Sequence, residues 1–224
     1  MFIAIEGLDG AGKSTQIKFL ENYLASKNIR SKCLHFPRFD EPFIGEMIAK
    51  FLRGDFGKVD EVNPLFVAFL FAADRRDAAP LIRGWLSEGY TVIVDRYVYS
   101  NVGYQCAKIA DEAERNALRK WILNLEFVYY NIPKPDVSIF LDVPFAFTEN
   151  KLNENRDGDD RDYLQGKQDI HEASLELQRR VREIYIEQQA EDDNFKIVNC
   201  NLETGEMLAP QQIFEQLIKY IPNI

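Results

Sequence analysis

What this sequence has little of narrows its possible functions first. Its three cysteines, Cys33, Cys106 and Cys200, are odd in number and far apart, which excludes a disulfide framework and points to a reducing, cytoplasmic setting. The two histidines, His35 and His171, are distant in sequence, and the cysteines lack ligand spacing, so no zinc motif is present. No apolar run is long enough to span a bilayer, and Met1 to Glu6 has neither the basic flank nor the long apolar core of a signal peptide. A membrane role is therefore not expected. An excess of basic charge is missing too. With 27 Lys and Arg against 36 Asp and Glu, the net charge of −9 argues against a nucleic-acid partner, whose phosphate backbone calls for a basic face. A small nucleotide stays possible, since a few basic residues in one cleft can hold it whatever the total.

The chain does have enough length and apolar content for a core. At 224 residues and 46% hydrophobic composition it suits one α/β domain covering 1–224 better than two domains. Short apolar runs bounded by turn formers or charge read as buried strands at Phe2–Ile5, Lys32–Phe36, Thr91–Val94, Val137–Leu141 and Phe195–Val198. Helical patterns lie between them. Ile17, Leu20 and Leu24 follow helical spacing. Asn63-Pro64 opens a helix with an N-cap residue and a first-turn proline. Leu65, Phe66, Phe69, Leu70 and Ala73 form its expected apolar face, and Pro80 is expected to kink or restart it before Gly89. Gln165 to Glu191 reads as a long amphipathic helix, and Pro210 starts the last one. Strands alternating with helices imply a five-stranded parallel sheet covered on both faces, with ligands at the carboxyl ends of the strands.

The residues after the first strand carry the most specific signal. Gly7-Leu8-Asp9-Gly10-Ala11-Gly12-Lys13-Ser14 fits G-x-x-x-x-G-K-[ST] between an apolar strand and a helix, the context this phosphate loop requires. Glycines let successive N–H groups turn inward as a nest for phosphate oxygens, and the following helix start adds its positive dipole end. Gly7 through Thr15 are therefore the candidate ATP-binding residues, with Lys13 reaching the β- and γ-phosphates and Ser14 ligating Mg²⁺. Two other nucleotide-enzyme signatures fail. Asn150-Lys151-Leu152-Asn153 lacks the final acid of a guanine-reading motif, and Asp55-Phe56-Gly57 has no H-R-D catalytic loop beside it. After the third strand, Asp95-Arg96-Tyr97 supplies an acid where P-loop enzymes hold the Mg²⁺ shell and an arginine that can grip a second phosphate.

The segment Asp95 to Gln105, D-R-Y-V-Y-S-N-V-G-Y-Q, resembles the D-R-Y…S…Y segment of thymidylate kinases. Glu6 to Gln16 is similar to the opening of that family, and Phe36-Pro37-Arg38 and Leu70 to Arg75 resemble two more of its segments. The matches run in order from the N-terminus to the region of residue 163. The resemblance implies a P-loop NTPase fold of the nucleoside monophosphate kinase kind and transfer of the ATP γ-phosphoryl group to thymidine 5′-monophosphate (dTMP). It implies that Phe71 stacks on thymine, Arg75 bonds its carbonyl edge, Arg38 and Arg96 bind the acceptor phosphate, and Asp9 accepts from the 3′-hydroxyl. Ser100 and Asn101 fall where the family reads the base, Tyr104 where a ring beside C2′ excludes a ribo hydroxyl, and Gln105 at the pocket wall; Phe36 belongs to the same substrate site. A homodimer packed through helices is implied as well.

Two highly charged reactants must meet in line, so cations have to converge and water has to be kept out. Lys13 and Arg96 with Mg²⁺, to which Ser14 and Asp95 are assigned, form the fixed set. The polar stretch Asn155 to Tyr163, with Gly158 and two arginines, is the candidate lid within about 153–164. Some members of the resembled family carry an arginine inside the phosphate loop and others in the lid. Position 10 is glycine, so the resemblance points to the lid-arginine, bacterial-like kind, with Arg161 favoured for the phosphates and Arg156 as helper or adenine neighbour. One departure stands out: Leu164 follows Tyr163 where the family commonly has an acid. The alternatives are a kinase for another nucleoside monophosphate or for a deoxynucleoside, and a non-catalytic nucleotide-binding switch. Arg38 and Arg96 favour an acceptor that already bears phosphate, and a switch needs no second pocket.

Overall fold

The computed structural model describes residues 1–153, 159–167, 169–172 and 174–222, without side chains for 151–153 and 159–161. Five strands, β1 (Phe2–Gly7), β2 (Ser31–His35), β3 (Thr91–Asp95), β4 (Val137–Asp142) and β5 (Phe195–Asn199), form one sheet in the order β2-β3-β1-β4-β5, all neighbours parallel. Every residue of β1, β3 and β4 is buried, as expected of a sheet covered on both faces. The expected fold class is the one observed, and each apolar run falls within a residue or two of its strand. Register aligns the strand ends: Ile5 pairs with Asp95, Asp95 with His35, and Gly7 with Leu141. The phosphate loop, Asp95 and Asp142 thus emerge along one edge, where parallel α/β sheets bind ligands.

The helices in chain order are α1 (Lys13–Ser26), α2 (Ile44–Leu52), α3 (Pro64–Ser87), α4 (Val98–Cys106), α5 (Glu112–Leu123), α6 (Phe145–Asn153), α7 (Leu175–Glu191) and α8 (Pro210–Leu217), with a π-helical turn at Asn124–Tyr129. One core lies under α3, α4 and α7, and another under α1 and α8 on the opposite face. Among the described residues no helix is long and apolar enough to cross a membrane.

Three sequence expectations need correction. Leu65, Phe66 and Phe69 of α3 are exposed; the buried face is Val67, Ala68, Ala72, Ala78, Ala79 and Ile82, together with Asp74 and Arg75. Small residues let the helix axis approach its neighbours closely, so the alanines face inward and the large rings stay outside. Pro80 does not restart the helix, which runs unbroken through it. Pro80 and Arg76 are both exposed, so water can satisfy the carbonyl freed by the missing N–H. The helix expected from Gln165 begins only at Leu175, where the Ser174 side chain caps it. Gln165 (φ 51°) and Gly166 (φ 78°) both occupy left-handed backbone, which ends helical continuation there.

Candidate active site

The phosphate loop closes between β1 and α1. Gly12 has φ 81°, which L side chains rarely adopt, and it hands the chain directly into α1. Gly10 has φ 77°. Lys13 is buried against the loop, its Nζ donating to the Leu8 carbonyl at 3.1 Å and more weakly to the Gly7 carbonyl at 3.4 Å. Burial, followed by repulsion from Arg96, lowers its pKa. Gly7 ends β1 and Leu8 follows it beneath the loop, while Gly10 through Thr15 line a cleft of about 1020 Å³. That is at the upper end of ordinary ligand pockets, large enough for two nucleotides in part.

The other half of the cleft is joined to this loop by one carboxylate. Asp9 accepts from Arg96 Nη2 at 2.6 Å, from the Tyr104 hydroxyl at 2.6 Å and from Gln178 Nε2 at 3.2 Å. Burial opposes its charge, but Arg96 and Lys13, with the bonds from Tyr104 and Gln178, hold it well below the usual carboxylate range. Arg96 occupies left-handed backbone (φ 66°), unusual for a residue other than glycine, and its surroundings fix it there. Its N–H donates to the Ile5 carbonyl at 2.9 Å and the Tyr97 N–H to Glu6 Oε1 at 3.0 Å. The guanidinium also reaches Ser100 Oγ at 3.2 Å and lies 5.3 Å from the Tyr104 ring centre.

Ser100 is oriented from beneath. Its hydroxyl donates to Glu6 Oε2 at 2.6 Å, and Tyr185 donates to the same oxygen at 3.0 Å. Glu6 is fully buried, and burial raises its pKa despite these donors and Arg96. Asp95 is also buried. Its Oδ2 lies 3.3 Å from His35 Nδ1, and its Oδ1 has no partner among the described residues. Burial opposes ionisation of Asp95, yet Lys13 and His35 bring its pKa below the ordinary value. An ionised buried carboxylate with one oxygen unpartnered, beside a phosphate loop, is chemically suited to a cation shared with phosphates. The Ser14 side chain is exposed at the same cleft.

Arg38 follows β2 and is enclosed by acids. Its Nε bonds Asp74 at 2.8 Å, Nη2 bonds Asp77 at 2.7 Å and the Asp74 carbonyl at 3.0 Å, and Nη1 bonds Glu41 at 3.0 Å. Of five N–H donors, those bonds leave one on Nη1 for a ligand. The loop carrying Arg38 packs on α2 so tightly that a Cβ on Gly45 would lie 2.4 Å from the Phe39 carbonyl oxygen and 2.5 Å from that of Arg38. Arg75 is bound in a fork by buried Glu126, and Asn101 bonds the same carboxylate. Phe71 is half-buried and meets Phe51 edge-on with ring centres 6.2 Å apart. Phe36 is buried against Tyr97, and Gln105 accepts from Lys108 at 2.8 Å.

The structure therefore brings Asp9, Phe36, Arg38, Phe71, Arg75, Asp95, Arg96, Ser100, Asn101, Tyr104 and Gln105 to one cleft with the phosphate loop. Arg156 lies outside the described residues, and of Arg161 only the backbone is described, within the 3₁₀ turn Asp159–Leu164. Several contacts along the cleft wall were not anticipated. Tyr163 stacks on Phe39 at 3.7 Å and donates to Asp169 at 2.9 Å, tying the end of the lid region to the wall of the cleft. Burial and the Asp9 charge push the Asp169 pKa up to about 7. His171 is buried beside Tyr104, ring centres 4.9 Å apart, and Glu172 lines the same wall. Acids thus reach the cleft from beyond Tyr163 although Leu164 is not one. Nothing local in sequence marks Gln178 or Glu126; they arrive from α7 and the π-helical turn.

Comparison with known proteins gives a consistent result. The family model described as "Thymidylate kinase" matches residues 5–209. The chain is 32% identical over 213 residues to a protein named thymidylate kinase from Mycobacterium tuberculosis, covering 93% of this chain and 96% of that one. It is 33% identical over 184 residues to a thymidylate kinase from Plasmodium falciparum, covering 82% of this chain and 75% of that one. Among solved structures, a thymidylate kinase from Candida albicans superimposes with a TM-score of 0.71 at 26% identity, over 98% of this chain and 90% of that chain.

Proposed function

Since this chain belongs to the thymidylate kinase family, we propose that the cleft transfers the γ-phosphoryl group of ATP to dTMP, giving ADP and the diphosphate. It is a phosphotransferase of nucleotide biosynthesis. The observation that carries this reading is the Asp9–Arg96 contact at 2.6 Å. Asp9 belongs to the donor loop and Arg96 to the acceptor segment, so the two half-sites share one ion pair.

The residues divide the work as follows. Backbone N–H groups from Gly10 to Thr15, at the positive end of α1, receive the β- and γ-phosphates, and Lys13 is the loop's fixed cation. Arg96 presents its planar fork to the acceptor phosphate, with the remaining Arg38 donor beside it. Asp9 accepts from the 3′-hydroxyl, Phe71 covers one face of the base, and the Tyr104 ring fills the space beside C2′. Ser100 and Gln105 complete the pocket wall. Ser14 and the free Asp95 oxygen would hold Mg²⁺, which supplies charge neutralisation between the phosphates when bound. An acceptor phosphate oxygen attacks the γ-phosphorus directly as its bond to the ADP oxygen breaks, so no enzyme nucleophile is required. Positioning of this kind supplies roughly 7–11 kcal/mol of barrier reduction. The lid arginines, Arg161 first and Arg156 second, close over the transferring group and keep water out.

Residues 1–224 act as one kinase domain with this lid. A homodimer is favoured by the exposed apolar residues Leu65, Phe66 and Phe69 on α3 and Val128 and Tyr129 of the π-helical turn, two elements that meet where the Phe69 ring centre lies 6.4 Å from that of Tyr130. A reducing cytoplasm suits Cys33, Cys106 and Cys200, all of them free. The deciding experiment is ADP release measured across the nucleoside monophosphates. dTMP is expected to be the preferred acceptor; no turnover with any acceptor would leave a nucleotide-binding switch.

A further inference from the structure

The base-reading pair rests on a carboxylate that phosphoryl transfer does not use. Glu126 is fully buried in the π-helical turn Asn124–Tyr129, whose wider hydrogen bond runs from the Tyr130 N–H to the Leu125 carbonyl at 2.8 Å. Such turns are rare and recur at functional sites. Glu126 Oε2 accepts from Arg75 Nε at 2.5 Å, and Oε1 from Arg75 Nη2 at 2.8 Å. The same Oε1 accepts from Asn101 Nδ2 at 3.0 Å, and Nδ2 also donates to the Ala68 carbonyl at 2.9 Å.

These four bonds settle two polarities. Arg75 commits Nε and one N–H of Nη2 to Glu126, so the N–H groups it has left for the cleft it lines are on Nη1 and Nη2, and a guanidinium can only donate. The Asn101 amide nitrogen sits between two acceptors, which excludes exchange of its nitrogen and oxygen. Asn101 Oδ1 is therefore a buried oxygen, without a partner among the described residues, on a side chain that lines the cleft. One donor and one acceptor are offered side by side, and one carboxylate holds both.

We propose that Glu126 is the specificity-determining residue for the base. Resting on the reading of this cleft as a pyrimidine monophosphate site, it fixes a donor–acceptor wall that matches a 4-carbonyl with an adjacent N3–H. A 4-amino pyrimidine sets donor against donor at Arg75 and acceptor against acceptor at Asn101. Sites built on such bonds reject the mismatched partner by about 10⁴–10⁵-fold, because buried groups are left unpaired. Glu126 touches no substrate; it acts through Arg75 and Asn101 and is a positioning residue.

The test compares kcat/KM for dTMP and for 2′-deoxycytidine 5′-monophosphate in wild type and Glu126→Gln, with ATP KM and Tm alongside. Glutamine has one acceptor oxygen, so its NH₂ must face Arg75 or Asn101. The thymidylate-to-deoxycytidylate ratio is expected to fall at least about 10-fold, the scale of one lost bond to a charged group, while ATP KM stays within about 2-fold of wild type. A lowered Tm with an unchanged ratio would reduce Glu126 to a structural ion pair and overturn the proposal. So would a wild type that prefers the deoxycytidine acceptor. Absence of turnover in the wild type falls on the functional reading instead, and equilibrium binding of the two monophosphates to both proteins then decides on Glu126 by the same ratio. Should Glu126→Gln not fold, Glu126→Asp, which keeps the charge but is too short to hold both partners, carries the identical comparison.

Discussion

The shared carboxylate Asp9 gives the sharpest test of how the two half-sites are coupled. Asp9→Asn keeps the size of the side chain but turns one acceptor oxygen into a donor. The wild-type carboxylate takes three donors, Arg96 and Tyr104 at 2.6 Å and Gln178 at 3.2 Å. An amide cannot accept from all of them, so Arg96 loses its charged anchor or Tyr104 and Gln178 face an N–H. Losing one bond to a charged group is worth about 1.5–3 kcal/mol, which corresponds to about 10- to 150-fold in kcat/KM. ADP release at varied dTMP and varied ATP should show this loss in kcat and in dTMP KM, with the smaller change in ATP KM. The stability arm has a definite sign. The folded-state pKa of Asp9 is depressed, so its contribution is present above the unfolded value of about 3.9 and is lost as pH falls through the folded value. Wild type should therefore melt above Asp9→Asn at pH 7, with the gap closing in acid below about pH 4. A change in kcat/KM below about 3-fold, under 1 kcal/mol, would refute the coupling of the half-sites through Asp9.

Four further outcomes are expected. Phe71→Ala should weaken dTMP binding by about 1–3 kcal/mol, the usual worth of a base stacked on an aromatic ring; a loss of Tm alone, measured by calorimetry, would assign Phe71 to the core. Arg161→Ala should lower kcat by about 10³-fold or more with dTMP affinity by titration little changed, and unchanged turnover would remove Arg161 from the mechanism. Asp169 has a raised folded-state pKa of about 7, so its ionisation costs stability progressively as pH rises from its unfolded value to about 7. Asp169→Asn should thus raise Tm relative to wild type at pH 8, and the advantage should shrink towards pH 4, read from melting curves at both values. Phe69→Glu, on the exposed face of α3, should convert a dimer to monomer by light scattering while the far-ultraviolet spectrum is kept.

The sheet was legible because its strands are covered on both faces and so appear as unbroken apolar runs, short enough to exclude helix. The helices were harder where burial removed the pattern. All nine residues of α4 (Val98–Cys106) are buried, and its polar residues Ser100, Asn101, Tyr104 and Gln105 face the cleft, so it lacks the charged, solvent-facing side by which a surface helix is read. On α3 a period was present, but the largest apolar residues marked the outside and alanines the inside, which inverts the usual assignment. By contrast, α5 had a readable start: Asp111 accepts from the Glu114 N–H at 2.9 Å, a D-x-x-E capping signal that lies in the sequence itself.

The site divides along the same physical line. The phosphate loop is a local feature, nested in consecutive backbone N–H groups, and eight residues suffice to recognise it. What sequence reasoning saw of the arginines was their charge, and convergence of cations was the expected logic. In the fold, each of the three arginines lining the cleft among the described residues is already engaged by carboxylate: Arg38 by Asp74, Asp77 and Glu41, Arg75 by Glu126, and Arg96 by Asp9. Apart from Glu41, three residues after Arg38, these partners come from 36 to 87 residues away, and no spacing rule predicts them. They follow from desolvation, because a guanidinium withdrawn from water without a partner would cost several kcal/mol. Pairing cancels most of the attraction that a bare arginine would exert on any anion. What remains at Arg38 and Arg75 is direction: specific N–H groups aimed into the cleft, and for Asn101 one specific oxygen. An acceptor nucleotide is therefore chosen by the donors and acceptors these carboxylates leave free, and an acidic protein of net charge −9 can bind a dianion without contradiction.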